Sequence, residues 1–174
     1  MFLSLSGENG SAGQVAMSWW LRHIGWWPPL FGTGIKVTRL DKDLRAIDVE
    51  MPLRPWNRNY VGVQFGGSLF ALTDPFYMIM LATNLGPEFV VWDKAASIRY
   101  KKPGLGRVRA EFRLSEERLA EIRIELELEG RTDARFVVEV KDDEGGVVAE
   151  VERVIYCATK KAHAERKKLR GGGG

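Results

Sequence analysis

Two adjacent glycines, and a carboxylate that follows them inside an apolar run, are the residues of this sequence best suited to chemistry. Gly66 and Gly67 open a long apolar stretch that contains Asp74. Backbone N–H groups at the start of a helix have no partner within the helix, so they can bind a developing oxyanion. A buried carboxylate can act as a base or a nucleophile. With Asn59 shortly upstream, this set indicates acyl-transfer chemistry such as thioester hydrolysis.

The spacing of these residues has a consequence for assembly. A continuous helix would place Gly67 and Asp74 on one face, about two turns and roughly 10 Å apart at ~1.5 Å per residue. One carbonyl group cannot lie within about 3 Å of both. If both residues act on one substrate, they must come from two subunits with antiparallel helices. We therefore expect a homodimer, with pairing of dimers into a tetramer left open.

Each of these residues also has a structural explanation. The glycines could simply allow a tight turn into a helix. Asp74 could form local hydrogen bonds beside Pro75, and Asn59 could be an ordinary turn residue. A charge inside an apolar, enclosed helix is nevertheless costly unless it is paired or used. We therefore favour a functional role for Asp74.

The elements that must position these residues predict a mixed α+β domain. Residues 66–85 predict one long helix that is apolar on nearly all sides, kinks at Pro75 and ends at Gly86-Pro87. Alternating apolar and polar residues predict two strands before this helix and about four after it. The expected architecture is an antiparallel sheet curled around one central helix.

Three other segments have patterns that depart from simple alternation or allow more than one interpretation. Residues 116–129 alternate like a strand, but Ser115 followed by two glutamates favours a helix, which we choose. A change of phase between Val151 and Val154 predicts a β-bulge. Residues 14–31 predict an N-terminal helix with four tryptophans. That helix either packs on the body or a subunit interface, or it forms a membrane-interface or acyl-chain lid.

Composition limits the classes of function. The 174 residues fit one domain over residues 14–160, with a flexible start over 1–13 and a basic, Gly-ended flexible tail over 161–174. Residues 160–174 carry a net charge of +5, which leaves −2 for residues 1–159 and argues against a nucleic-acid partner. No residues have the spacing of metal ligands, and no cofactor is expected. The single cysteine, Cys157, suggests an inert core thiol and a reducing, cytoplasmic location.

The sequence resembles hot-dog-fold acyl-CoA thioesterases of the phenylacetate-degradation type through the spacing Asn59, Gly62, Gly66-Gly67 and Asp74. The wider resemblance, over about residues 15–160, is to a hot-dog subfamily of domain-of-unknown-function proteins. Its motifs are WPPLFGTG at 27–34, NRN at 57–59, FGGSLF at 65–70, DP at 74–75, WDK at 92–94 and KPG at 102–104. The resemblance implies a hot-dog fold with an extra N-terminal helix.

The resemblance also implies roles for individual residues. Gly67 would donate its N–H to the thioester oxygen, Asp74 would be the nucleophile or general base, and Asn59 would position the thioester or the attacking water. The residues expected to contact an acyl-CoA or other thioester substrate are Phe65, Gly66, Tyr77 and Arg58. The arginine is a candidate for the phosphates of coenzyme A, although a solvated surface charge explains it as well.

One departure from the pattern keeps alternatives open. Phe65 stands where the thioesterases usually carry a histidine, so a polar contact near the substrate carbonyl is lost. A non-catalytic acyl- or lipid-binding protein is therefore the second hypothesis. The third is a structural dimer whose Trp-rich N-terminal segment contacts a membrane or a partner.

Overall fold

Six strands form an antiparallel sheet in the computed structural model, which describes residues 10–171 of the chain. In chain order they are β1 (Lys36–Leu40), β2 (Ala46–Met51), β3 (Phe89–Tyr100), β4 (Val108–Arg113), β5 (Arg131–Asp142) and β6 (Val147–Thr159). Their spatial order is β1-β2-β4-β5-β6-β3, so β1 and β3 are the two edge strands. The prediction of two strands before the central segment and four after it is confirmed.

Five α-helices accompany the sheet in the described residues. They are α1 (Gly10–Arg22), α2 (Gly66–Ala71), α3 (Phe76–Leu85), α4 (Glu116–Glu129) and α5 (Lys160–Gly171), with a short 3-10 helix at Ile24–Trp26 after α1. The prediction of one continuous helix over 66–85 is wrong, because the chain leaves the helix between α2 and α3. Pro75 lies at this break, where its missing N–H cannot continue the helical hydrogen bonding.

The core lies between α3 and the inward face of the sheet. Six of the ten residues of α3 are buried. The Phe76 ring lies 4.8 Å from the Phe112 ring of β4, and β5 alternates regularly between exposed and buried side chains. The second half of the central segment is thus enclosed, as expected of a helix that is apolar on every side.

The α4 segment confirms the choice of helix over strand. The Ser115 hydroxyl accepts a hydrogen bond from the Arg118 N–H at 3.1 Å and caps the helix. Gly130 ends the helix with a positive φ of 71°. Only Ile122 and Leu126 of the apparent alternation are buried, whereas Ile124 and Leu128 are exposed, so the apolar period is helical.

The bulge predicted between Val151 and Val154 of β6 is wrong, because β6 pairs there without an extra residue. The irregularity of β6 lies earlier, at Val148, where its pairing with β5 shifts. The pairing of β3 with β6 shifts between Asp93 and Ala95, opposite Ile155 and Val154. Buried and exposed residues stop alternating along this part of β6 because both faces of the strand are covered, so side chains on either face are buried. On the outer face, the Tyr156 ring stacks on Trp92 at 4.8 Å.

Helix α5 (Lys160–Gly171) covers most of the segment predicted as a flexible tail over 161–174. It packs on the outer face of the sheet, where the His163 ring lies 5.0 Å from the Trp92 ring and the Arg166 guanidinium lies over the Tyr156 ring at 5.5 Å. These contacts explain why the basic segment is ordered as a helix. At the other end, α1 begins at Gly10 rather than at residue 14. The remaining parts of the two predicted flexible ends, residues 1–9 and 172–174, lie outside the described residues.

Candidate functional site

Asp74 lies in the break between α2 and α3 and forms an ion pair with an arginine of β6. The Arg153 Nη1 lies 2.7 Å from the Asp74 Oδ1. The Arg153 side chain is only 4% exposed, whereas the Asp74 side chain is 46% exposed. The acid is therefore neither isolated in the core nor free of a partner. It covers the outer end of a buried cation and keeps one side open to solvent.

Arg153 is held from several directions. Its Nη2 donates to the Phe70 carbonyl at 3.3 Å and to the Thr73 hydroxyl at 3.2 Å. Its guanidinium also lies over the Phe70 ring at 4.8 Å. Among the described residues, its Nε has no hydrogen-bond partner. The carbonyl and hydroxyl at the end of α2 thus serve as partners for a buried charge.

A second carboxylate approaches the same guanidinium from the edge strand β3. The Asp93 Oδ1 lies 3.5 Å from the Arg153 Nη1. Burial raises the pKa of Asp93 above its usual value, and the nearby Asp74 raises it further, while Arg153 opposes the shift. Two carboxylates therefore share one cation. Of the two, Asp93 is the carboxylate whose charged form is disfavoured by burial.

The glycine pair lies at the first turn of α2, with Phe65 as the N-cap residue. A Cβ at Gly67 would lie 2.6 Å from the Phe65 ring, and a Cβ at Gly66 would lie 2.8 Å from the Tyr100 hydroxyl. Close contacts thus account for the lack of side chains at both positions. Gly67 and Phe65 are exposed, so the first N–H groups of α2 lie at the protein surface.

The loop before α2 is built by Asn59 and Gln64. The Asn59 Oδ1 accepts hydrogen bonds from the N–H groups of Val61 and Val63, both at 3.1 Å. This oxygen is therefore already used by the loop, which supports the turn explanation for Asn59. Gln64 is buried, and its Nε2 donates to the carbonyls of Met51 and Gly106. Arg58 is exposed on the same loop and pairs with Gln64 through a backbone bridge.

Tyr77 belongs to the core. Its ring stacks on Phe136 with centroids 4.0 Å apart and meets Phe112 edge-on at 5.3 Å. The side chain is buried, and its hydroxyl is 3.4 Å from the Arg113 carbonyl. These contacts account for Tyr77 as a core residue, and its predicted contact with a substrate stays a prediction.

Several weaker candidates have structural partners. On β3, Asp93 approaches Arg153 and Lys94 pairs with Asp133, since neighbouring residues of a strand point to opposite faces. Burial raises the pKa of the Cys157 thiol to about 12, in keeping with an inert core cysteine. Within residues 10–171, no group of three or more His, Cys, Asp or Glu is arranged to hold a metal ion.

A cleft of about 300 Å³ lies on the outer face of the sheet. Its lining residues are Lys94, Glu129, Arg131, Thr132, Asp133, Tyr156 and Arg166. Asp74 is not among them. The Asp74 side chain is partly exposed near Asp93 of the edge strand β3, with which it shares Arg153. Separately, no helix in the described part of the chain has the length and apolar character needed to cross a membrane.

The family model for a domain of unknown function, DUF4442, matches residues 13–157. The chain belongs to the DUF4442 family. The match includes α2, the break with Asp74, and Arg153. No curated protein matches the sequence.

Solved structures show the fold of this DUF4442 member. A protein of unknown function from Pseudomonas aeruginosa, described as a probable thioesterase, is similar with a TM-score of 0.73 and 23% identity over 82% of this chain and 95% of that chain. A protein of unknown function from Chlorobaculum tepidum has a TM-score of 0.67 and 18% identity over 84% and 97% of the two chains. A Haemophilus influenzae thioesterase has a TM-score of 0.58 and 13% identity over 80% and 88%. Together with the six-stranded sheet, these similarities confirm the predicted hot-dog fold.

The residue that the sequence analysis missed is Arg153. It is 79 positions from Asp74 in the sequence, and it lies in a strand of otherwise apolar inward residues. A signal was available, because an arginine at an inward position of the most buried strand requires an acidic partner. Asp74 is the one acid in the apolar central segment, so the two residues could have been matched.

Proposed function

We propose that this protein hydrolyses acyl thioesters of the acyl-CoA class in a site shared by two subunits. The observation that carries the proposal is the position of Asp74. It is the only acid of the central segment, it is oriented by a buried arginine, and it keeps nearly half of its side chain open to solvent. A carboxylate that is both fixed and accessible suits a base or a nucleophile.

The proposed reaction uses two groups. The N–H of Gly67 in one subunit donates to the thioester oxygen, and Asp74 of the other takes a proton from water as the water attacks the carbonyl carbon. The tetrahedral intermediate then collapses, the C–S bond breaks, and the thiolate takes the proton back from Asp74. Arg153 is a positioning residue, because its contacts to Asp74, Phe70 and Thr73 fix the carboxylate in the break.

The edge strand β3 supports the two-subunit arrangement. It is twelve residues long, and residues 94–97 in its middle are exposed. A long exposed edge with small side chains is a surface on which a second strand can pair. Asp93 and Tyr100 lie on this strand next to Arg153 and Gly66, so a subunit paired there would meet the candidate site.

A second candidate function is acyl binding without turnover. Two observations favour it: the ion pair with Arg153 engages one oxygen of Asp74, and Phe65 adds no polar group beside Gly67. In this alternative the site still accepts a thioester, but no base attacks it. The two functions therefore differ in turnover and not in binding.

The test is a panel of acyl-CoAs of increasing chain length, with free thiol release as the readout of turnover and equilibrium dialysis as the readout of binding. We expect turnover by the wild type and a fall of about 10²–10⁴-fold in kcat for Asp74→Asn. Asp143→Asn is the matched control, because Asp143 is similarly exposed and also pairs with arginine; it should keep wild-type kcat. Saturable binding without turnover would instead establish the acyl-binding function. If neither is seen, both proposals fail.

The shared site has its own test in mixed dimers. Gly67→Pro removes the donor and Asp74→Asn removes the base, and each variant alone should be inactive. Because the proposed site takes one group from each subunit, mixing the two variants should restore up to about a quarter of wild-type activity per dimer in a statistical mixture. Mixtures that stay inactive, despite proven subunit exchange, would contradict a shared site.

A further inference from the structure

We propose that an aromatic loop surface, formed by Trp26, Phe31 and Trp56, docks the protein on an anionic lipid membrane. The three side chains are 75%, 63% and 71% exposed. The rings of Trp26 and Phe31 lie 5.9 Å apart, so they form a cluster. Large aromatic side chains are normally buried, and a group left in water marks a surface that something covers. This proposal does not depend on the proposed hydrolase activity.

Asn57 joins the two loops that carry these rings. Its side chain is buried, and its Nδ2 donates to the Thr33 carbonyl at 2.7 Å and to the Pro52 carbonyl at 2.8 Å. Its Oδ1 accepts from the Arg54 N–H at 2.7 Å. Trp56 precedes Asn57, and Phe31 is two residues before Thr33. The two rings are therefore held on neighbouring loops that Asn57 connects. The aromatic loop surface is a built feature and not a chance exposure of separate residues.

The charge around this surface points to an anionic partner. Residues 10–40 and 51–73, which include both loops, contain five Lys or Arg and no Asp or Glu, whereas the whole chain has 23 acids. Arg22 and Arg54 are exposed in these segments. Within residues 10–171, neither forms an ion pair, while most arginines of the sheet do. Of the five, Arg39 pairs with Asp41 just outside these segments. Arg22 and Arg54, which lie four residues from Trp26 and two residues from Trp56 in the chain, therefore offer positive charge to an anionic bilayer surface.

A lipid surface fits better than a second copy of the chain. Tryptophan favours the boundary between headgroups and hydrocarbon, where its ring is partly dry and its N–H is wet. A symmetric dimer through this surface would place identical patches against each other, so Arg22 and Arg54 would face cations and meet no acids. The membrane supplies the missing negative charge and tolerates an irregular ring cluster.

The experiment is co-sedimentation of the full chain with vesicles of phosphatidylcholine containing 30% phosphatidylserine (roughly the surface charge assumed for an anionic leaflet) or none. We expect binding only to the anionic vesicles, weakening as salt rises. The variant with Trp26→Ala, Phe31→Ala and Trp56→Ala should lose at least about tenfold in affinity. The matched control is Ile124→Ala, Leu128→Ala and Val137→Ala, which removes exposed apolar residues elsewhere and should bind like the wild type.

Two further variants separate the contribution of charge to vesicle binding from that of the aromatic rings. Arg22→Gln with Arg54→Gln leaves every ring in place, so it tests the charge even if the aromatic variant folds poorly; it should weaken anionic binding several-fold. Lys160→Gln, Lys161→Gln and Lys168→Gln removes charge from α5. A greater loss in this variant than in the aromatic variant would overturn the proposal, because the basic helix would then be the membrane contact. Absence of wild-type binding, or a drop in oligomer mass in the aromatic variant, would overturn it too.

Discussion

The two halves of the central segment are covered by one sheet, but each is held in a different way. Helix α3 is buried through apolar contacts, with Phe76 and Tyr77 against the rings of β4 and β5. The end of α2 is held through polar contacts, with Arg153 binding a carboxylate, a carbonyl and a hydroxyl. Apolar contacts tolerate small shifts, whereas hydrogen bonds to a buried charge fix positions.

This difference predicts two kinds of sensitivity along one stretch of chain. The packed half forms the centre of the core, and the polar half presents Asp74 in an orientation held by Arg153. Substitutions in each half test whether the two halves differ in this way.

Tyr77→Ala should have the largest effect on stability. Truncation removes a ring stacked on Phe136 and leaves a cavity in the core, which typically costs about 3–5 kcal/mol for a large aromatic residue. Tyr77→Phe should cost less than about 1 kcal/mol, because both hydrogen bonds of the hydroxyl, to the carbonyl and from the N–H of Arg113, are long at 3.4 Å and 3.5 Å. Urea denaturation measures both, with the exposed Tyr60→Ala as the control. A small effect of Tyr77→Ala would show that α3 is not packed as described.

Arg153→Met should have the next largest effect. It leaves Asp74 and Asp93 near each other without their cation, and losing one partner of a buried pair costs about 3–5 kcal/mol. Because Asp74 is half exposed, we expect about 2–4 kcal/mol. Arg135→Met, which breaks an exposed pair with Glu152 on the same sheet, should cost less than about 1 kcal/mol.

A double-mutant cycle sharpens this result. Adding Asp74→Asn to Arg153→Met should cost less than the sum of the single changes, since the two side chains act on each other. Additive costs would show that Arg153 stabilises the break only through Phe70 and Thr73, and that its contact with Asp74 contributes little.

The apolar contacts of α3 were predictable from sequence, whereas the polar contacts at the end of α2 were not. The all-round apolar pattern of residues 76–85 requires enclosure, and the alternation of β4 and β5 supplies the walls. An antiparallel sheet around an enclosed helix therefore follows from local patterns, and the resemblance to a known family supplied the hot-dog fold. A kink at Pro75 was expected, but no local pattern connects Asp74 to Arg153.

The same limit applies to the roles of single residues. Tyr77 follows Asp74 by three positions, but it lies beyond the break and its ring stacks on Phe136 of β5. Such a contact between distant parts of the chain is not visible in a local pattern, and the contact of Tyr77 with a substrate stays a prediction.

The smallest expected effect is the pH dependence of folding stability that arises from Asp93, one of the two carboxylates near Arg153. Burial raises the pKa of Asp93 above the ordinary aspartate value of 3.8, so the folded protein holds this proton more tightly than the unfolded chain. The contribution of Asp93 to stability is therefore complete below pH 3.8 and is lost as pH rises through the folded pKa. Relative to the wild type, Asp93→Asn should become more stable as pH rises through this range.

Asp143 gives the opposite case on the exposed face. The hydrogen bond from Arg107 lowers the pKa of Asp143 below 3.8, so its contribution is present above that value and is lost as pH falls through the folded pKa. Asp143→Asn should therefore lose stability relative to the wild type as pH rises. Urea denaturation from pH 2.5 to pH 7 (about the range in which carboxylates titrate) measures both variants. Slopes of equal sign would mean that Asp93 is held by Arg153 as an ordinary ion pair, and the polar half of the segment would then resemble the protein surface.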